Sequence, residues 1–160
     1  MSIALQTRAV PTEQLISVDP FVVRRRVAFR DCDPAGIVYT PRFLDPFATG
    51  AADLFMMHVI GPMGSRLPGL ETLATPAKAV ELVFHGPSPQ GALIDIQVAC
   101  TGFGKTTFEL SLEGQSEAGA PLFSIRMTLI CVTHDSFKAI GVPDGLREAL
   151  SAYVSEGTKP

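Results

Sequence analysis

Between Pro41 and about Ile60 the chain carries a helical pattern that has almost no polar side. Phe43, Phe47, Ala51, Leu54, Phe55 and His58 recur at spacings of three and four, and Leu44, Ala48 and Ala52 widen the stripe. A helix that is apolar nearly all round has to be covered on most sides. Whatever else the chain forms must therefore wrap this one element, which at about 18 residues would be a rod of roughly 27 Å. Pro46 interrupts it, because proline removes a helical hydrogen bond and crowds the preceding turn. That predicts either a separate first turn, with Asp45 capping the main helix, or a kink. Gly61-Pro62 marks the end.

Strands are what the sequence offers as wrapping. Phe21–Arg30 is rich in Val and Phe and reads as a strand. Ala77–Phe84, Leu93–Phe103, Lys105–Glu113 and Pro121–Thr133 follow the helix, separated by Gly and Pro breakers such as His85-Gly86-Pro87-Ser88-Pro89. A short amphipathic helix from about Pro143 to Val154 closes the pattern, with Leu146, Leu150 and Tyr153 on its apolar side. One helix against antiparallel strands is an α+β solution: a curved sheet of five strands, or slightly more, around one long central helix. Residues 20–155 form a single domain on this reading, and residues 1–19 an extension or an added edge segment. The Gly/Pro-rich connection 61–76 is a candidate lid or substrate-facing loop. Arg24, Arg25 and Arg26 fall in the first strand. Successive side chains there point to opposite faces, so the expectation is a solvated or edge strand, not a three-arginine patch.

The chain is 46% hydrophobic and 18% charged, which suggests a large core or a buried subunit interface. Its formal net charge of −3 gives no global attraction for nucleic acid. No apolar run reaches membrane-spanning length, and residues 1–19 hold no apolar stretch of signal-peptide type. Cys32, Cys100 and Cys131 are far apart and lack metal-type spacing. These features together predict a cytoplasmic protein with reduced thiols. His58, His85 and His134 are scattered without ligand spacing, so no metal or other cofactor is expected.

Chemistry concentrates between Arg30 and Pro41. Asp33 stands at the exit of a strand, Pro34 and Gly36 punctuate a turn, and Pro41 sits where a helix begins. A carboxylate is thus aimed toward a helix N-terminus, where free N–H groups and the helix dipole favour negative charge. For Asp33 alone the ordinary role is turn capping. Asp31 reads as structural, His58 as a core or interface histidine, and Cys32 as a small packing residue. Glu71 and Glu81 are minor candidates for a second carboxylate.

The run Asp31-Cys32-Asp33-Pro34-Ala35-Gly36-Ile37-Val38-Tyr39 resembles the signature of hot-dog-fold acyl-CoA thioesterases, specifically the 4-hydroxybenzoyl-CoA thioesterase family. The likeness continues through Pro41-Arg42-Phe43 and returns at Gly104-Lys105-Thr106-Thr107-Phe108 and Val142-Pro143-Asp144-Gly145-Leu146. The resemblance implies the hot-dog fold, hydrolysis of an acyl-CoA with an aromatic acyl group as one option, and a homodimer or homotetramer. It implies that Asp33 is the nucleophile or the general base. Thr40 then supplies the backbone N–H that binds the thioester carbonyl. Relatives carry His or Tyr at that position, so only the backbone role transfers. Gly36, Ile37, Val38 and Tyr39 would line the substrate. Coenzyme A carries phosphates, for which Lys105, Arg126 and one of Arg24–Arg26 are candidates. A hydratase or dehydratase on the same fold, and a non-catalytic acyl-thioester-binding protein, are the competing readings.

Overall fold

The computed structural model describes residues 11–61 and 67–154. Alternation of large apolar and polar residues gives eight strands: β1 (Glu13–Val18), β2 (Phe21–Arg26), β3 (Leu73–Ala74), β4 (Ala77–Phe84), β5 (Leu93–Phe103), β6 (Thr107–Ser116), β7 (Pro121–Ile130) and β8 (Val132–Thr133). Six of them form one antiparallel sheet in the order β1-β2-β5-β6-β7-β4, and β3 pairs with β8. The inward side chains of the central strands are buried: Phe21 and Val23, then Ile94, Ile96 and Val98, then Phe108, Leu110 and Leu112, then Phe123 and Ile125. They pack on the central helix.

That helix is continuous, but it changes pitch twice. It starts as a 3-10 turn (Thr40–Phe43), widens into a π-helical turn (Leu44–Thr49) and becomes α1 (Gly50–Ile60). Pro46 lies in the wide turn, where its ring avoids the carbonyl that it would strike in an α-turn. The Gly50 N–H reaches back to the Asp45 carbonyl, and the Thr49 hydroxyl donates to the Leu44 carbonyl at 2.6 Å. The first alternative for Pro46, a separate turn with an Asp45 cap, does not hold. The first turn is not separate, and the Asp45 side chain caps nothing, lying instead 3.4 Å from Arg42. Phe47, Ala48, Ala51, Ala52 and Phe55 are buried. Edge-on ring contacts lock the helix to the sheet, Phe55 against Phe21 at 5.2 Å and Phe43 against Phe123 at 5.2 Å. Gly61, with φ 74°, ends α1. Residues 62–66 of the expected loop lie outside the described residues.

The arginine run departs from its expectation. β2 is interior, between β1 and β5, and Arg25 points into the core with only 8% of its surface exposed. Its guanidinium sits 5.2 Å from the Phe47 ring centroid and 2.9 Å from the Glu13 carboxylate on β1. A buried cation needs such a partner, so the added edge strand completes the core. Arg24 points outward and pairs with Asp95 through two bonds of 2.7 and 2.8 Å. The last helix, α2 (Asp144–Ser151), buries Leu146 and Leu150 as expected. Among the described residues, no helix is long and apolar enough to cross a membrane.

Candidate active site

β2 leaves the sheet at Arg26 and the chain makes a 3-10 turn, Phe29–Asp31. Asp31 is 1% exposed, and its carboxylate accepts the Ala28 N–H at 2.9 Å, which fixes the turn. Asp31 thus holds the turn, in line with its structural reading from sequence. Its carbonyl accepts the Tyr39 N–H at 2.8 Å, closing a small loop from Cys32 to Val38, which themselves form a β-bridge. Within the loop the Asp33 N–H donates to the Ile37 carbonyl and the Gly36 N–H to the Asp33 carbonyl, each at 2.9 Å. Gly36 has φ 79°, a conformation that glycine adopts without cost. A second strap holds the loop from outside: Val38 N–H to the Ser88 carbonyl at 2.9 Å and Gln90 N–H to the Gly36 carbonyl at 3.0 Å. The sequence marks His85–Pro89 only as a breaker between strands. Nothing in those residue types signals that they clamp a loop fifty residues earlier.

Asp33 is half-buried, and its Oδ1 accepts the Ala35 N–H at 2.8 Å. Its Oδ2 has no protein partner among the described residues. Seven residues on, Tyr39 is extended (φ −65°, ψ 128°) and the helix opens at Thr40. Pro41 has no N–H, and the Arg42 N–H is taken by the Tyr39 carbonyl at 2.8 Å. That leaves the Thr40 N–H as the unsatisfied donor at this helix end among the described residues. The short, doubly strapped loop and the helix start just after it therefore carry a carboxylate oxygen and a backbone donor that no protein group occupies among the described residues.

The remaining nominated residues divide. Val38 is buried in the core, Gly36 is half-buried, and Ile37 and Tyr39 are exposed beside the site. Leu44 and Phe84 are also exposed, and Phe84 stacks edge-on against Phe43 at 4.9 Å. Lys105 lies at the opposite end of the sheet from Asp33, in the β5–β6 turn. The 11 residues of β5 separate the two ends by roughly 33 Å. Arg126 is mid-strand on the outer face, 3.8 Å from Glu81. Neither cation reaches Asp33 within one chain. His58 sits near the far end of α1, bonded to the Tyr153 hydroxyl at 2.8 Å. The Cys32 thiol is pushed up by burial and then by the charges of Asp31 and Asp33, so it stays protonated at neutral pH and is a poor nucleophile.

No protein-family model and no curated protein sequence matches the chain. Solved structures do. A thioesterase-superfamily structure from Jannaschia sp. CCS1 is 28% identical, covering 89% of this chain and 98% of that one with a TM-score of 0.76. A 1,4-dihydroxy-2-naphthoyl-CoA thioesterase from Synechocystis is 20% identical over 82% of this chain and 95% of its own, with a TM-score of 0.70. A gentisyl-coenzyme A thioesterase is 20% identical over 81% and 98%, with a TM-score of 0.67. The six-stranded sheet around one central helix, shared over nearly the whole length of these structures, is the hot-dog fold of the thioesterase superfamily.

Proposed function

We propose that the chain hydrolyses an acyl-CoA to the free acid and coenzyme A, with Asp33 as nucleophile or general base and the Thr40 N–H as oxyanion donor. The observation that carries this reading is a carboxylate oxygen on a strapped loop and a helix-opening N–H seven residues on, neither with a protein partner among the described residues. In the reaction, Asp33 either attacks the thioester carbonyl carbon or takes a proton from the attacking water. Charge then develops on the carbonyl oxygen, where the Thr40 N–H and the helix dipole meet it. The C–S bond breaks, and coenzyme A leaves as the thiolate; on the nucleophilic route water then cleaves the Asp33–acyl anhydride to the free acid and restores the carboxylate. Ile37, Tyr39, Leu44 and Phe84 supply apolar surface for the acyl group. An aromatic acyl group is favoured because the motif resembles aroyl-CoA enzymes and because two similar structures are named for aromatic acyl-CoAs.

The same reading includes a homodimer through β4. This strand is at the sheet edge, with Val80, Val83 and Phe84 exposed. An apolar open edge invites another strand. Antiparallel pairing of two β4 edges about a two-fold axis sets the Ala77 end of one copy beside the Phe84 end of the other. The Lys105 end of each chain then faces the Asp33 end of its partner.

The test is free-thiol release from a panel of short-chain, long-chain and aromatic acyl-CoAs, with enoyl-CoA absorbance followed in parallel. Thiol release, fastest for an aromatic substrate, is expected. A change in enoyl absorbance without thiol release would assign a hydratase instead. Saturable acyl-CoA binding without turnover would assign a binding protein.

A further inference from the structure

Where the central helix changes pitch, a charged side chain from the edge strand reaches it. Glu13 and Arg25 stand opposite each other on β1 and β2. The Arg25 guanidinium donates to the Glu13 carboxylate at 2.9 Å and lies over the Phe47 ring, 5.2 Å from its centroid. Phe47 belongs to the π-helical turn Leu44–Thr49. A Cβ at Gly50 would stand 3.3 Å from the Glu13 carboxylate and 3.9 Å from the guanidinium. Gly50 is the residue whose N–H closes the wide turn on the Asp45 carbonyl. Glycine is a poor helix former, and here it lets the ion pair lie against the helix backbone.

Stability alone does not account for this pair. Arg25 is 8% exposed, and its Nε is buried with no hydrogen-bond partner among the described residues. A buried cation with an unpaired donor is costly, and apolar residues of similar size in place of a buried ion pair are often as stable or more so. What apolar residues do not supply is a single directed contact that fixes one element against another. The rings carry that fixed position onward. Phe47 meets Phe43 at 5.5 Å, and Phe43 meets Phe84 at 4.9 Å and Phe123 at 5.2 Å. Phe43 is the last residue of the 3-10 turn that opens at Thr40.

We infer that Glu13 and Arg25 are positioning residues for the proposed hydrolysis: their ion pair holds the π-turn at its wide pitch and so holds the Thr40 N–H where the thioester carbonyl meets it. Neither side chain touches substrate. They act through Phe47 and Phe43 on the helix start, which makes the added edge strand part of the catalytic scaffold. The chemistry of this inference rests on the acyl-CoA reading; the grip of the pair on the helix does not.

The experiment compares the full-length wild type with the double variant Glu13→Leu, Arg25→Met, which keeps the bulk of the pair and removes both charges. Its melting temperature is expected at or above that of wild type. Its kcat for the best acyl-CoA falls about ten-fold with KM little changed, because a small shift of the donor weakens the transition state and not substrate binding. Amide hydrogen exchange, read by mass spectrometry, quickens across residues 44–50 and is unchanged in β5 and β6. Glu13→Gln keeps the shape of the pair and removes one charge; measured well below its own melting temperature, it shows both changes in smaller measure. Wild-type kcat in the double variant and in Glu13→Gln, or wild-type exchange across residues 44–50, overturns the inference. If wild type releases no thiol from any acyl-CoA, the proposed reaction fails, and the exchange result alone decides whether the pair holds the helix.

Discussion

On the proposed mechanism Thr40 acts through its backbone N–H and not through its side chain. Thr40→Ala keeps the N–H, so it should lose little activity. Thr40→Pro deletes the donor at a position where proline fits, since it opens a helix and follows a residue already in an extended conformation. Loss of an oxyanion donor costs on the order of 100-fold or more in turnover, and parallel thiol-release assays with circular dichroism on both variants check this. Equal activity in the two would remove the oxyanion role. The sequence made Asp33 and the helix start legible because Pro, Gly and Asp have strong local preferences. It did not show that Asp31 would be buried as the anchor of the loop, or that Ser88 would clamp it. Both depend on contacts made across the fold, and serine has no preference strong enough to announce one.

The central helix and the strands were the most legible elements, since each is written in its hydrophobic period. Details set by competition were not. Pro46 could end, kink or widen the helix, and the choice fell to packing of Phe43 and Phe47 against the sheet. Arg25 looked like one of three solvated arginines because its counter-ion, Glu13, belongs to a strand that carries little β signal. β6 offers a test of how tightly the sheet meets its own side chains. Gly114 pairs with Phe123 of β7, and a Cβ added there would collide with the Phe123 ring. That ring is itself buried in the core. Gly114→Ala should therefore destabilise the protein by about 1–3 kcal/mol, the usual cost of overpacking, measured by urea denaturation. An unchanged midpoint would mean that the ring moves aside freely.

For the whole molecule, an unusually apolar composition suggested an interface, and β4 is where the structure leaves one open. The sequence marks it as a strand, and most of it is exposed in the single chain. A second copy paired along β4, as proposed, would cover it. A lysine at Val80 should shift the protein toward monomer in analytical ultracentrifugation and lower thiol release together with it; a dimer that persists through that change would place the interface elsewhere. Asp33 is the centre of the proposed hydrolysis. Its most direct measurement is the rate of thiol release from the best acyl-CoA substrate by wild type and Asp33→Asn, at matched fold and oligomeric state. Asparagine neither attacks a thioester carbonyl nor accepts a proton from water, so the account predicts a loss of about 100-fold or more. Wild-type turnover in Asp33→Asn would contradict it.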